Sequence, residues 1–351
     1  MPNVVIVAGA RTPIGAFQGA FAELTAPQLG AHAIRAALDR GGIAPEEVDE
    51  VLFGNVLSGG VGQAPARQAS LGAGLPNSVP CTTINKVCGS GMKAVMMAAQ
   101  AIHSGDARII VAGGMESMSN APYALPKARA GYRMGNGTLL DLMIHDGLWD
   151  PYDNCHMGNC GDATAEEMGY SREALDEFSA RSVQRARDAQ AAGRFDEEIA
   201  PITLERKKGD PEIIREDEGP GRAKPEKLAG LRPAFGKEGR TTAGNASSIN
   251  DGAAALIVML EEEATRRRLT PIARIVAQAQ HAQAPARFTT APTEAIRKLL
   301  TKGKISVAEV DLFEVNEAFA VVAMNVADGV GIPADKLNVN GGAVALGHPI
   351  G

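Results

Sequence analysis

The residue best suited to covalent chemistry is Cys88, which lies on a glycine-flanked turn between a predicted strand and a predicted helix. Residues 79–87 alternate loosely in apolar and β-branched side chains, which predicts the strand. The helix is predicted from apolar residues at helical spacing, which are Met92, Val95, Met96, Ala99 and Ile102. Because unpaired N–H groups at a helix N-terminus favour an anion, we expect this turn to lower the pKa of the thiol. A small buried apolar residue is the alternative interpretation of Cys88.

Two further polar residues, Asn316 and His348, complete a set that is able to carry acyl transfer. They lie in the runs VDLFEVNEAFA (residues 310–320) and NVNGGAVALGHPIG (residues 338–351). Acyl transfer through sulfur needs a thiolate, a base that takes and returns its proton, and donors aimed at the developing oxyanion. Histidine titrates near neutral pH, and an amide donates hydrogen bonds without adding charge. The alternatives are a solvated loop histidine for His348 and a helix N-cap for Asn316.

These runs and several others resemble the motifs of the thiolase family over essentially the whole chain. The others are VIVAGARTPIGAF (5–17), VAGGMESMS (111–119), HMG (156–158) and TAGNASSINDGAA (242–254). The resemblance implies that Cys88 is the acylated nucleophile, His348 its base, and Asn316 the holder of a water in an oxyanion hole. It implies ping-pong acetyl transfer, in which two acetyl-CoA condense to acetoacetyl-CoA or the reverse thiolysis occurs. The alternatives are a thiolase of broader chain length in fatty-acid β-oxidation and a non-catalytic acyl-CoA-binding fragment.

The same resemblance predicts a coenzyme A channel and no resident cofactor, with coenzyme A acting as a substrate. His156 and Met157 lie where short-chain thiolases close the acyl pocket, and Phe288 is placed to reshape that pocket. The channel itself is expected to be lined by Leu148, Phe235, Ala243, Ser247, Ala318 and Phe319. For the apolar members of this set, ordinary packing is an equally good account. Basic residues in the middle third either contact phosphate or form a solvated surface; they are Arg206, Lys207, Lys208, Arg222, Lys224, Lys227 and Arg232.

An internal repeat indicates that the chain is duplicated. Residues 33–49 match residues 295–311 at a constant offset of 262, with nine identities in 17 positions. The same offset places Cys88 opposite position 350, two residues from His348. The predicted fold is α/β, a duplicated thiolase-like fold in which two related halves pack about a pseudo-twofold axis. The sheet is expected to be mostly parallel and covered by helices on both faces.

The predicted domains follow from a change of pattern in the middle of the chain. Residues 1–118 plus 246–268 form the N-terminal half, and residues 269–351 form an incomplete C-terminal half. Residues 119–245 are rich in Gly, Pro and charge, which predicts an inserted loop domain that binds coenzyme A. We expect one polar helix near residues 171–192, and apolar contacts from Trp149, Tyr152, Phe178 and Phe195.

Composition and charge narrow the class of protein and the partners that this chain is expected to have. The formal charge of −6 and pI near 5.6 argue against a general nucleic-acid binder. The longest apolar run, 253–260, has the length of a strand, so no membrane association is expected. Four cysteines without paired spacing suit a reducing, cytoplasmic compartment, and the run CHMGNC lacks a second ligand pair, so no metal site is predicted. The resemblance implies a homotetramer.

A short-chain dehydrogenase is the main rival, because Tyr123 and Lys127 have the spacing of its catalytic pair. Pro126 lies between them and would interrupt the helix that the pair requires. The sequence ends within the GHPIG motif, whereas thiolases continue to a second cysteine that deprotonates the second acetyl group. We therefore expect this chain to be a piece of a longer enzyme. If the piece folds, we expect it to take up an acetyl group without making acetoacetyl-CoA.

Overall fold

The computed structural model describes residues 2–205 and 209–351, so the predicted phosphate contacts at 206–208 lie outside the described residues. The chain is a mixed α/β protein. Its strands are β1 (Val4–Arg11), β2 (Gly15–Ala16), β3 (Glu50–Gly54), β4 (Cys81–Ile84), β5 (Ile109–Ser117), β6 (Tyr123–Ala124), β7 (Leu140–Asp141), β8 (Trp149–Asp150), β9 (Cys155–His156), β10 (Ile202–Leu204), β11 (Glu212–Ile214), β12 (Asn250–Leu260) and β13 (Ala273–Ile275). Its α-helices are α1 (Ala26–Gly41), α2 (Pro65–Gly72), α3 (Ser90–Ser104), α4 (Met157–Glu167), α5 (Arg172–Ala191), α6 (Glu218–Arg222), α7 (Glu261–Arg266), α8 (Ala291–Gly303), α9 (Ala320–Val330) and α10 (Ala343–Leu346).

A seven-stranded sheet in the order β13-β1-β12-β5-β3-β4, with β2 added to β12, forms the centre of the molecule. Strand β3 pairs in parallel with β4 and β5. Strand β12 is antiparallel to both β1 and β5, and β13 is antiparallel to β1. The prediction of a mostly parallel sheet is therefore wrong. The chain inserts β12 between β1 and β5 after the excursion through residues 119–245, and its direction opposes both neighbours.

Helices cover both faces of this sheet, as predicted. Alternate residues of β3 point to opposite faces, so Phe53 packs with α1 and α2 while Leu52 packs with α3. On the first face Leu29 and Ile34 of α1 are buried, and on the second Ala98 of α3 is buried. Helix α1 begins at a capping box between Thr25 and Gln28. The elements that carry the candidate nucleophile are thus held from two sides by apolar packing.

The described residues of the excursion 119–205 and 209–245 form short strand pairs and helices. Strands β6–β7, β8–β9 and β10–β11 each form a two-stranded ribbon. Helix α5 begins after Ser171, whose hydroxyl accepts the N–H of Ala174, so the predicted polar helix is confirmed. Phe178 and Phe195 are buried as expected, whereas Tyr152 is 77% exposed, so the expectation that it anchors the excursion is wrong.

The C-terminal part is largely helical and packs on the excursion. Residues of α9 and α5 share one apolar cluster, and a parallel bridge joins Phe313 to Leu337. Helices α1 and α8 end at equivalent positions of the repeat, and the residues that follow, Gly42 and Lys304, are both left-handed. Short 3-10 helices then begin at Pro45 and Val307, again 262 residues apart. Within the described residues, none of the helices combines the length and apolar character needed to span a bilayer.

Candidate active site

Side chains on both sides of Cys88 hold its backbone turn in place. The hydroxyl of Ser90 accepts the N–H of Lys86 at 2.8 Å and donates to the carbonyl of Val87 at 2.6 Å. The side-chain oxygen of Asn85 accepts the N–H of Val87 at 3.0 Å. Val87 has φ of +46°, which is an outlier for a β-branched residue. The turn is therefore strained and held by neighbouring hydrogen bonds, a state that typically costs about 1–3 kcal/mol.

Cys88 is exposed, two residues before the first residue of α3. The residue as a whole is exposed, but the surrounding protein desolvates the thiol and, with the charge of Glu116, raises its pKa to about 11. The predicted lowering of the thiol pKa by the helix N-terminus is therefore wrong, because desolvation outweighs it. The expectation that Met92 lies on the apolar face of α3 is also wrong, since this side chain is 73% exposed. The thiol thus needs a base to deprotonate it at neutral pH.

His348 has the properties of such a base. The surrounding protein desolvates its ring and lowers its pKa to about 4, so the imidazole is neutral at pH 7 and able to accept a proton. The backbone N–H of His348 donates to the side-chain oxygen of buried Asn250 at 3.0 Å. The amide nitrogen of Asn250 donates to the carbonyl of Gly15 at 2.9 Å. His348 is therefore tied to the first residue of β12 in the central sheet.

The amide nitrogen of Asn316 lies 3.2 Å from Nε2 of His348. With this amide donating, Nε2 is the unprotonated nitrogen of the neutral ring and Nδ1 carries the proton. Asn316 is exposed and lies outside a helix, because α9 begins at Ala320 after Phe319. The N-cap interpretation is therefore excluded by the structure, and the side chain is available to the site.

The neighbouring carboxylate of Glu317 fixes the loop that carries Asn316. It accepts hydrogen bonds from the hydroxyl of Ser182 at 2.7 Å, from the amide of Asn338 at 2.8 Å and from the N–H of Val344 at 3.1 Å. Burial raises the pKa of Glu317, and these three donors oppose that rise. A buried carboxylate with three donors rigidifies its surroundings, so the loop is pinned immediately beside Asn316.

The segments that carry the nucleophile and the base touch each other at Gly54. A methyl group at this position would meet the carbonyl of Gly351, Cβ of Ser90 and the N–H of Gly91. The last residues of the chain therefore pass directly over the first turn of α3, two residues from Cys88. Because His348 lies three residues before Gly351, the predicted nucleophile and base sit on adjoining segments. Only glycine allows this approach of three backbones at Gly54.

Four of the residues that were predicted for the acyl pocket and the coenzyme A channel form a row of aromatic rings. The rings of His156 and Phe235 stack with centroids 4.5 Å apart, and Phe235 meets Phe319 edge-on at 6.2 Å. Phe288 continues the row, 6.4 Å from Phe319. A methyl group on Gly158 would collide with the ring of Phe235, so the row requires glycine there. The structure thus brings together four residues that were predicted from distant parts of the sequence.

The remaining predicted channel residues lie on several elements. The N–H and hydroxyl of Ser247 both donate to the carbonyl of Ala318 at 3.0 Å. Leu148 packs into the apolar cluster that holds the last residues of the chain. Met157 is the first residue of α4 and is half-buried, whereas Ala243 is exposed in the loop after Thr242. Ser247 and Ala318 are therefore in contact, whereas Leu148, Met157 and Ala243 lie on three separate elements.

Two domain families match the chain and together cover almost all of it. The family described as "Thiolase, N-terminal domain" matches residues 4–262, and "Thiolase, C-terminal domain" matches residues 269–351. The chain belongs to the thiolase family. It is 51% identical over 352 residues to an acetyl-CoA acetyltransferase of Cupriavidus necator, covering 100% of this chain and 90% of that protein. It is 52% identical over 351 residues to acetyl-CoA acetyltransferase 2 of Arabidopsis thaliana, covering 99% and 87%.

The sequence analysis missed a buried carboxylate beside the nucleophile turn of this thiolase. Glu116 is 0% exposed and accepts hydrogen bonds from the amide of Asn55 at 2.7 Å and from the N–H groups of Val56 and Leu57 at 2.9 and 3.2 Å. Desolvation nevertheless raises its pKa to about 7. The sequence did contain a signal for Glu116, because it is a single acidic residue within the apolar run of β5. Such a pattern is expected of a buried charged residue with a local function.

The structure also bears on the rival interpretation and on the basic residues. Tyr123 lies in β6 and Lys127 in the turns that follow it, so they do not share a helix as a dehydrogenase pair must.

Among the basic residues predicted to contact phosphate, Arg222 pairs with Glu218 at 2.6 Å. The other described basic residues of that stretch are exposed, namely Lys224, Lys227 and Arg232. Their predicted contact with phosphate stays a prediction.

Proposed function

We infer that this thiolase is an acetyl-CoA acetyltransferase, with acetyl-CoA, acetoacetyl-CoA and coenzyme A as its substrates. The inference is carried by the contact between Asn316 and His348, because His348 lies on the segment that crosses the first turn of α3 near Cys88. The relatives that match almost the whole chain at about half identity carry this name. A neutral imidazole on a segment that adjoins the segment of the thiol supports acyl transfer through sulfur.

In the first half-reaction, His348 takes the thiol proton while the sulfur of Cys88 attacks the acetyl carbonyl of acetyl-CoA. The carbon–sulfur bond to coenzyme A then breaks, and the leaving thiolate receives the proton from His348. Asn316, through a bound water, stabilises the oxyanion of the tetrahedral intermediate. In the second half-reaction another acetyl-CoA loses an α-proton to the second cysteine that the thiolase resemblance implies. Its α-carbon attacks the acetyl group, the carbon–sulfur bond to Cys88 breaks, and the released thiolate of Cys88 takes up a proton. Thiolysis of acetoacetyl-CoA is the reverse.

The coenzyme A channel is proposed to run along the aromatic row. His156 and Met157 close the acyl end, Phe288 shapes it, and the channel wall consists of Leu148, Phe235, Ala243, Ser247, Ala318 and Phe319. The stacked and edge-on rings support this assignment, since aromatic faces pack well against the apolar part of a pantetheine arm. A side chain at Gly158 would disrupt the row, which agrees with a site that needs all four rings in place.

The domain organisation follows the duplication that the repeat predicts. We propose two related halves, residues 1–118 plus 246–268 and residues 269–351, with residues 119–245 as the insert that binds coenzyme A. The equivalent helix ends at Gly41 and Gly303 support the duplication. The two family matches, which divide between residues 262 and 269, support the boundary.

The assembly and the compartment are proposed to be a homotetramer in the cytoplasm. Tyr123, Met134 and Leu139 expose large apolar surfaces on and between the strands of the β6–β7 ribbon, as expected of a surface that a second copy covers. The described cysteines are all unpaired, which suits a reducing compartment. Light scattering of the full protein tests the assembly, and a monomeric mass contradicts it.

The test of the function is covalent capture of the acetyl group. The protein is incubated with acetyl-CoA, quenched in acid, and its intact mass is measured. We expect an adduct with the mass of a single acetyl group, absent in Cys88→Ala and retained in Cys81→Ala, where Cys81 is a half-buried cysteine of β4. Acetylation of the Cys88→Ala protein at another residue refutes the assignment of the nucleophile.

A further inference from the structure

Three potential metal ligands meet at the start of α4. Strands β8 and β9 place Asp150 directly opposite Cys155, and Cys160 lies in the first turn of the following helix. A carboxylate oxygen of Asp150 and both sulfur atoms lie within 4.8 Å of one another. Sequence spacing alone predicted no metal site, because Cys155 and Cys160 lacked a further ligand. The hairpin supplies that ligand from five residues earlier in the chain.

The carboxylate of Asp150 provides independent evidence for a ligand. The residue is only 3% exposed, and one oxygen accepts the N–H of Tyr152 at 2.9 Å. The other oxygen, Oδ2, is buried and has no hydrogen-bond partner among the described residues. A buried carboxylate oxygen without a partner is costly, and such groups are normally paired or bound to a metal. An unsatisfied oxygen beside two sulfur atoms therefore points to a cation.

We propose that Asp150, Cys155 and Cys160 bind a Zn²⁺ ion in this protein. In a tetrahedral zinc site with Zn–S of about 2.3 Å and Zn–O of about 2.0–2.2 Å, the ligand atoms lie about 3.4–3.8 Å apart. The mutual separation within 4.8 Å accommodates such a site with small side-chain movements. Each thiol releases its proton to solvent when it binds the ion, and a water molecule completes the fourth position.

The ligand chemistry selects the ion. Two thiolates and one carboxylate suit a borderline-soft cation, whereas Mg²⁺ and Ca²⁺ prefer oxygen ligands throughout. A disulfide between Cys155 and Cys160 is the competing fate of the two sulfurs, and it leaves Oδ2 of Asp150 without a partner.

The proposed ion has a structural role that does not depend on the proposed function. His156 follows Cys155 directly, and its ring stacks on Phe235 at 4.5 Å. An ion that joins β8, β9 and α4 therefore fixes the backbone on both sides of this histidine. The ion lies outside the segments that carry Cys88, His348 and Asn316, so the acyl-transfer chemistry takes no step through it.

The experiment measures zinc binding by the full-length protein, reduced, freed of metal with a chelator and then separated from the chelator. Titration with Zn²⁺ in competition with a chromogenic chelator gives the stoichiometry and the affinity. We expect a single tight equivalent, and an affinity that falls by about tenfold or more in Asp150→Asn, Cys155→Ser and Cys160→Ser. Cys81→Ser is the matched control, a half-buried cysteine on a different strand, and should bind zinc as the parent does.

Co²⁺ titration of the same proteins supplies a spectroscopic readout of the ligands. Thiolate-to-cobalt charge-transfer absorption is expected in the parent and in Cys88→Ala, and it should be lost in the Cys155→Ser, Cys160→Ser double variant. Circular dichroism checks the fold of each variant, and Asp150→Asn decides the matter if the cysteine variants fail to fold, because it keeps both thiols. Loss of zinc in Cys88→Ala, unchanged affinity in Asp150→Asn, or a reduced parent protein that takes up no zinc overturns the proposal.

Discussion

Replacing Glu116 with glutamine should remove a specific part of the pH dependence of stability. Burial raises the pKa of Glu116 from 4.5 to about 7 in the folded protein. A carboxyl group whose folded pKa lies above its unfolded value stabilises the fold below the unfolded pKa, and this contribution is lost as pH rises to the folded pKa. The shift of about 2.5 pH units corresponds to about 3 kcal/mol, at about 1.4 kcal/mol per unit. The loss falls between pH 4.5 and 7.

The assay compares the free energy of unfolding of the parent and of Glu116→Gln, by urea titration at half-unit steps from pH 4.5 to 7.5. At pH 4.5 both side chains are neutral, and the variant should be less stable by about 1–3 kcal/mol, because its amide faces the three N–H donors that Glu116 accepts. The difference in the free energy of unfolding between the parent and the variant should then shrink by about 3 kcal/mol as pH rises to 7, and it can change sign.

Taking the difference removes the titration of His348, which has the opposite sign. Its folded pKa of about 4 lies below the unfolded value of 6.5, so its contribution is complete above pH 6.5 and is lost as pH falls towards 4. This loss is common to both proteins. A difference that stays constant from pH 4.5 to 7.5 refutes the reasoning, since Glu116 would then be charged throughout and fully compensated by its three donors.

Three further predictions concern the site. Gly158→Ala should push Phe235 off the ring of His156 and raise the KM for acetyl-CoA several-fold, while alkylation of Cys88 by iodoacetamide proceeds at the parental rate; an unchanged KM contradicts the channel. Asn250→Ala should leave the N–H of His348 unpaired, destabilise the fold by about 1–3 kcal/mol and slow acetylation of Cys88; in a rapid-quench assay, parental acetylation kinetics would show that the anchor is dispensable. In the parent, the rate of Cys88 alkylation should rise about tenfold per pH unit up to about pH 10, because the pKa of the thiol is about 11. His348→Ala should shift this pH profile. A plateau of the rate below pH 8, or an unchanged profile in the variant, counts against Cys88 and His348 acting together.

The local elements were largely predictable from the sequence because their signals are local. The amphipathic spacing of α1 and the hydroxyl of Ser171 before α5 specify those helices without reference to the rest of the chain. The direction of β12 in the sheet, by contrast, has no local signal in the sequence. Its eleven residues read as a buried strand, but whether it enters the sheet parallel or antiparallel depends on the path of residues 119–245, which periodicity does not encode.

The four predicted rings lie in contact, and so do Asn316 and His348, but the electrostatics of the candidate catalytic residues were not predictable from motifs. The helix N-terminus at Cys88 argued for a low thiol pKa, and the structure gives a high one because surrounding protein removes water from the sulfur. The same removal of water lowers the pKa of His348. Desolvation depends on how many distant segments crowd one atom. A local sequence pattern contains no measure of that crowding.

The place of β1 in the central sheet has a consequence for synthesis of the protein. Both hydrogen-bonding neighbours of this strand, β12 and β13, are made of residues beyond 249. At about 5–20 residues per second, a ribosome needs about 12–50 s to make the intervening 240 or so residues. During that time the nascent chain carries an apolar strand with two open edges, the form most prone to pair with another chain. Folding of this thiolase therefore has a late, long-range closing step, and its yield in the cell should depend on whatever shields β1 until β12 leaves the ribosome.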